Sequence, residues 1–159
     1  MKDFESRLWA RGRLRLASST DVPAIVRLVH SAYEKYVSRI GRKPKPMLAD
    51  YAHAVENHLL WVVCEGESLL AVLELIPSAE HLLIENIAVQ PELQRSGYGR
   101  ELMKFAETEA KRMGFHELRL YTNERFAENI CLYKIIGYKE THRESYLGSY
   151  VVHMAKHLE

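Results

Sequence analysis

Residues 92–103 read ELQRSGYGRELM, with two glycines one residue apart between arginines, directly ahead of an apolar run of helical period. Upstream, HLLIENIAVQ (81–90) has the composition of a strand, and Pro91 ends it. The join is therefore strand, polar turn, helix. A helix that starts at such a turn presents its first N–H groups without acceptors. Those donors, together with the positive end of the helix dipole, suit an anion, and the missing Cβ atoms of Gly97 and Gly99 let a phosphate approach the backbone. Two nucleotide turns are excluded: a dinucleotide fingerprint needs a third glycine where Leu102 stands, and a GxxxxGK[ST] loop is absent.

The pattern on either side extends this reading. From Gly97 to Met113 the residues Leu102, Met103, Ala106, Ala110 and Met113 share one helical stripe, Glu107 sits four before Lys111, and Gly114 ends the helix. Before the turn, strands at 59–65, 68–76 and 81–90 are parted by short polar breaks, which predicts antiparallel neighbours. Strict alternation in the third of them puts Leu83, Glu85, Ile87 and Val89 on one face and Leu82, Ile84, Asn86 and Ala88 on the other. After the long helix come a strand at 117–123, a helix at about 126–136 closed by Gly137, and strands in YKETHRES and SYVVHMAKHL. At the other end RLRLAS (13–18) reads as a strand and STD caps a helix carrying Val22, Ile25, Val26 and Val29. A basic loop, SRIGRKPKPM (38–47), leads to a second helical pattern, MLADYAHAVENH. Residues 1–11 are read as an N-terminal extension and 12–159 as a single domain.

The 159 residues are enough for one core without metal or disulfide staples. A formal charge of +1 gives no reason to expect nucleic acid. No apolar run approaches the ~18 residues of a membrane span, and MKDFESRLWARGRL lacks a signal peptide's apolar core, so a soluble cytoplasmic protein with no membrane partner is expected. Cys64 and Cys131 each lie in an apolar run and read as buried free thiols. The eight histidines are scattered and predict no metal site.

Two motifs together carry a resemblance. The turn Gln94-Arg95-Ser96-Gly97-Tyr98-Gly99 fits a Q/R-x-x-G-x-G/A pattern within IENIAVQPELQRSGYGRELM, and some thirty residues on, ENICLYKIIGY (128–138) fits N-x-x-x-Y-x-x-x-G-F/Y. In this order, and with this element order, the chain resembles the GCN5-related N-acetyltransferase superfamily over about residues 12 to 158. The resemblance implies an α/β (α+β) acyl-CoA N-acyltransferase fold: a mixed, mostly antiparallel twisted sheet of about six or seven strands flanked by about four helices. It implies acetyl-CoA as acetyl donor, with its pyrophosphate on the backbone of Gln94, Arg95, Ser96, Gly97, Tyr98, Gly99 and Arg100. Arg95 and Arg100 read equally well as solvated charges, and the Tyr98 side chain as packing. In the family the equivalent of strand 81–90 splays from its neighbour, so Ile87, Ala88 and Val89 face the pantetheine arm and an N–H near Ile87 polarises the acetyl carbonyl. Asn129 then contacts the cofactor and Tyr133 faces the departing sulfur.

The reaction so implied is direct attack of an amine on a thioester. With a lysine-like pKa, roughly one amine in 2,500 is neutral at pH 7, so a proton acceptor is worth positioning. Glu85 is the leading candidate, its alternative being a carboxylate paired across the sheet or reaching solvent. Relatives that acetylate protein N-termini often carry a base where Tyr121 stands, which weakens that reading here. By analogy the first two helices and their connection border the acceptor site. Tyr33, Tyr36 and Tyr51 would wall a pocket, with Asn86 and Tyr121 beside it, and Arg39, Arg42, Lys43 and Lys45 would attract an acidic group; core packing and a solvated loop are the alternatives. A small-molecule amine is the favoured acceptor. A non-catalytic acyl-CoA-binding module and a protein lysine or N-terminal acetyltransferase are the competing readings. SYVVHMAKHL is apolar enough to permit a homodimer.

Overall fold

The computed structural model of the chain describes residues 12–159, so the expected N-terminal extension lies outside the described residues. The elements run β1 (Arg13–Leu16), α1 (Val22–Ile40), α2 (Tyr51–Asn57), β2 (Leu59–Glu65), β3 (Ser68–Pro77), β4 (Leu82–Val89), α3 (Tyr98–Arg112), β5 (Glu117–Asn123), α4 (Ala127–Ile135), β6 (Lys139–Tyr146) and β7 (Ser149–His157). Seven strands form one sheet in the order β1-β2-β3-β4-β5-β7-β6. Every neighbouring pair is antiparallel except β4 and β5, which are parallel. This is the mixed, mostly antiparallel sheet with four helices that the resemblance implies.

Each face of the sheet carries its own apolar layer. On one, Leu102, Met103, Ala106 and Ala110 of α3 meet Leu73, Leu75, Leu82, Ile84, Leu118 and Leu120, joined by Ile130 of α4. On the other, Ile25, Leu28, Val29 and Ala32 of α1 and Ala54 of α2 meet Leu60, Val62, Val72 and Ala88. Burial of each large side chain is worth ~1.5–3 kcal/mol, so the stripe of α3 alone fixes which face it covers. α1 ends at Gly41, whose φ of 73° is left-handed and suits glycine.

Three expectations are corrected. The pattern MLADYAHAVENH supports only the seven-residue α2, because Asp50 adopts an extended conformation and caps it by accepting from the His53 N–H at 3.0 Å. Cys131 is exposed while Cys64 is buried; on α4 it is Ile130 that turns to the core. The third concerns β4. Its register against β3 passes from Glu74↔Asn86 directly to Leu75↔Ile84, so Glu85 is an extra residue, a β-bulge. Strict alternation is thereby broken: Leu82 and Ile84 join the α3 layer, whereas Ala88 joins the α1 layer.

Candidate active site

Parallel pairing of β4 with β5 covers only Leu82↔Leu118, Leu83↔Arg119 and Ile84↔Leu120. Both strands continue, to Val89 and Asn123, so they part beyond Ile84. The Gln90 N–H donates to Leu70 O at 2.9 Å, toward β3. Counting back by the antiparallel alternation, Ala88 also faces β3 while Ile87 and Val89 turn their peptide groups to the open edge. Their carbonyls take side-chain donors there, Ile87 O from the Tyr33 hydroxyl (3.1 Å) and Val89 O from Gln94 Nε2 (3.1 Å). The N–H groups of Ile87 and Val89 are thus left with no strand to pair with. α1 spans the opening and is tied to both sides, by Lys35 Nζ to Gln94 Oε1 (2.7 Å) and by Arg39 Nη1 to Glu128 (2.8 Å).

At the mouth of the opening, Arg95 (φ 65°) and Gly97 (φ 97°) are both left-handed and swing the chain into α3. The first intrahelical bond is Glu101 N to Gly97 O, 3.0 Å, so the N–H groups of Tyr98, Gly99 and Arg100 have no helical acceptor. A Cβ added at Gly97 or Gly99 would meet nothing within 4 Å, so the space above both is open. Arg95 and Arg100 are exposed. The Tyr98 side chain is buried in the core, as packing, and contributes to the turn only through its backbone. Gly99 is not left-handed and a side chain there meets open space, so Gly99→Glu is expected to fold as the parent does, with equal or higher melting temperature because an acid suits the first turn of a helix. Coenzyme A affinity should nevertheless fall by about tenfold or more, about 1.4 kcal/mol, because the carboxylate takes the place of an anion and repels it. Calorimetry and a melt on the same sample check the two halves; unchanged affinity would remove the turn from the binding site.

A cleft of about 590 Å³ lies between the loop after α1, the parted strands, the start of α4 and the β6–β7 hairpin. Because of the bulge, Glu85 and Asn86 both reach into it. Glu85 Oε1 accepts from the Tyr121 hydroxyl at 2.6 Å and lies 3.2 Å from Lys45 Nζ. Burial and the bond to Glu85 push the Tyr121 phenol up to about 12, so it stays protonated. Asn86 Oδ1 accepts from Tyr33 (2.7 Å), its Nδ2 donates to the Tyr51 oxygen (3.1 Å), and Tyr51 donates to Pro46 O (2.6 Å). The hydroxyls of Tyr33 and Tyr51 are therefore committed to holding the bulge and the loop, although both rings line the cleft.

Asn129 and Tyr133, one turn apart on α4, both line the cleft. The Tyr133 hydroxyl has no hydrogen-bond partner among the described residues, and burial pushes its pKa up to about 12. Several acceptor-side expectations come out differently. Tyr36 does not wall the cleft: its ring stacks on Phe126 at 4.0 Å and its hydroxyl donates to Glu128 at 3.2 Å. Arg39 pairs with Glu128, whereas Arg42, 5.2 Å over the Tyr146 ring, and Lys45, bonded to Glu85 and Tyr121, line the cleft as expected, and Lys43 is exposed. Glu74 was missed. It is 4% exposed, paired with His58 Nδ1 at 2.6 Å, and burial raises its pKa against the lowering effect of His58. Its signal was available, as the lone acid within the apolar run SLLAVLELI. His153 and Tyr146, also in the cleft, carry no such local signal.

Known proteins similar to this chain are named as acetyltransferases. The model of the Acetyltransferase (GNAT) family matches residues 24–138. Probable N-acetyltransferase 14 of Xenopus tropicalis is 32% identical over 103 residues, 63% of this chain and 50% of that protein, so the chain spans about half the length of this relative. Among solved structures, the ribosomal-protein-S18-alanine N-acetyltransferase of Escherichia coli superposes with a TM-score of 0.75 at 21% identity, covering 92% of this chain and 94% of that one. The PaiA N-acetyltransferase of Thermoplasma acidophilum, in complex with coenzyme A, gives 0.72 at 17% identity over 92% and 98%. The chain belongs to the GNAT family of acetyltransferases.

Proposed function

We propose that the chain transfers the acetyl group of acetyl-CoA to the primary amine of a small molecule, by direct attack in a ternary complex. The observation that carries this reading is the parting of β4 from β5 beyond Ile84, which brings strand N–H groups, a carboxylate and a phenol with no hydrogen-bond partner among the described residues to one cleft. In this reading the diphosphate rests on the backbone from Gln94 to Arg100, with Asn129 nearer the thioester. The Ile87 N–H faces the carbonyl oxygen where negative charge develops, and the Val89 N–H, about 7 Å further along the strand, meets the pantetheine arm. Glu85, directly or through the Tyr121 hydroxyl, takes the proton of the attacking ammonium.

Tyr133 faces the departing sulfur. With the phenol near 12 and a thiol near 8.5, full proton transfer is uphill by ~3.5 units, or ~5 kcal/mol. Burial raises a thiol's pKa as well and narrows that gap. Tyr133 therefore acts by donating a hydrogen bond to the thiolate as it forms. The cleft volume falls within the ~300–1,000 Å³ usual for small ligands, which favours a small amine over a folded protein. Thiol release from acetyl-CoA, measured against small amines and lysine or N-terminal peptides, tests this. Turnover of small amines is the expected result; turnover of peptides alone would overturn the acceptor class, and firm coenzyme A binding without release on any amine would favour a non-catalytic module.

A further inference from the structure

The acceptor cleft already holds a primary amine. Lys45 reaches in from the loop between α1 and α2, and its Nζ lies 2.5 Å from the Tyr121 oxygen, 3.2 Å from Glu85 Oε1 and 4.9 Å from the centre of the Tyr121 ring. A carboxylate, a hydroxyl oxygen and an aromatic face are the three groups that recognise an alkylammonium. The loop does not need this contact to hold its course. Tyr51 ties down Pro46 O at 2.6 Å, and His30 Nε2 meets Met47 O at 3.1 Å. The Lys45 side chain is 65% exposed, so its stem runs through open space and only its tip is engaged. Such a side chain, unbranched and free along its length, can advance its nitrogen without moving the backbone.

We infer that Lys45 is acetylated by its own active site when acetyl-CoA is bound and no acceptor is present. The inference rests on the proposed acetyltransfer and adds an internal acceptor to it. Burial alone would lower the pKa of Lys45, but the bonds to Tyr121 and Glu85 outweigh it and raise it, so the nitrogen starts as an ammonium. Glu85 removes one proton. The freed lone pair attacks the acetyl carbonyl carbon; the C–N bond forms, the C–S bond breaks, and the sulfur leaves with its electron pair. The second nitrogen proton is lost as the amide forms. The products are a neutral acetamide on Lys45, free coenzyme A as the thiol, and one proton released to solvent. An incoming amine competes for the contacts that Lys45 makes, so a good acceptor protects Lys45.

The test is peptide mass mapping of the purified full chain incubated with acetyl-CoA in an amine-free buffer. Lys45 should gain one acetyl group about tenfold or more faster than Lys104 and Lys111 on the exposed side of α3, because a tethered amine reacts as an intramolecular partner. The rate per molecule should be unchanged on dilution, and Glu85→Gln should slow Lys45 without slowing the two reference lysines. Acetylation of Lys45 no faster than of Lys104 and Lys111, or a rate rising with protein concentration, would overturn the inference while leaving intact any thiol release seen with small amines. Absence of both would overturn the inference and the acetyltransferase reading together.

Discussion

Glu85→Gln is expected to lower kcat/KM for an alkylamine acceptor by about 10²–10⁴-fold, the usual contribution of a positioned proton acceptor. Glutamine keeps the size of the side chain and still accepts the Tyr121 hydroxyl, which lies 2.6 Å away, so the bulge should persist and the melt should change little. The loss should depend on the acceptor. An alkylamine is almost wholly protonated at neutral pH and needs the base, whereas a weakly basic arylamine arrives neutral and needs it far less. Rates for the two acceptor types in both proteins decide the point. A uniform small loss for both would leave Glu85 as a structural partner of Lys45 and Tyr121.

Tyr133→Phe should lower kcat about tenfold or more, with coenzyme A affinity within about threefold, since a single charge-assisted hydrogen bond to a developing thiolate is worth ~1.5–3 kcal/mol. The hydroxyl has no internal partner among the described residues, so its removal orphans nothing and the fold has no reason to suffer. Because burial holds the phenol near 12, it remains protonated across neutral and moderately alkaline pH. The deletion should therefore reduce kcat by the same factor throughout that range. Single-turnover rates against pH, with calorimetry for affinity, measure both quantities. Unchanged turnover would remove Tyr133 from the chemistry and leave it as packing beside Tyr138, whose ring centre lies 6.1 Å away.

The elements that were legible in the sequence owe it to local causes. β2 and β5 are found at the predicted limits because apolar runs meet Glu-Gly-Glu at one and Gly114 ahead of the other, and the α3 stripe reports one face directly. The turn at 94–99 was legible for the same reason, since glycines between a strand and a helical stripe mark a change of direction, and Gly97 is left-handed there. The bulge at Glu85 was not, because it depends on the register with β3, and a period of two assumed to continue places Glu85 and Asn86 on opposite faces. Contacts between distant residues escaped as well. Lys45 meets Tyr121 across 76 positions and Tyr36 meets Glu128 across 92, so basic and aromatic side chains that looked free for a substrate are spent on one another. Cys131 shows the converse error, where an apolar stretch on a short helix buries one neighbour and exposes the next.

The most direct measurement of the central claim is the amide spectrum of the full chain titrated with coenzyme A. Anchoring of the diphosphate on main-chain nitrogens, with the pantetheine arm laid along the parted strand, requires the largest shifts at Gly97, Gly99, Arg100, Ile87 and Val89, while β1, at the far edge of the sheet, stays still. Saturable binding with shifts centred elsewhere, or no shift at millimolar coenzyme A, would contradict it.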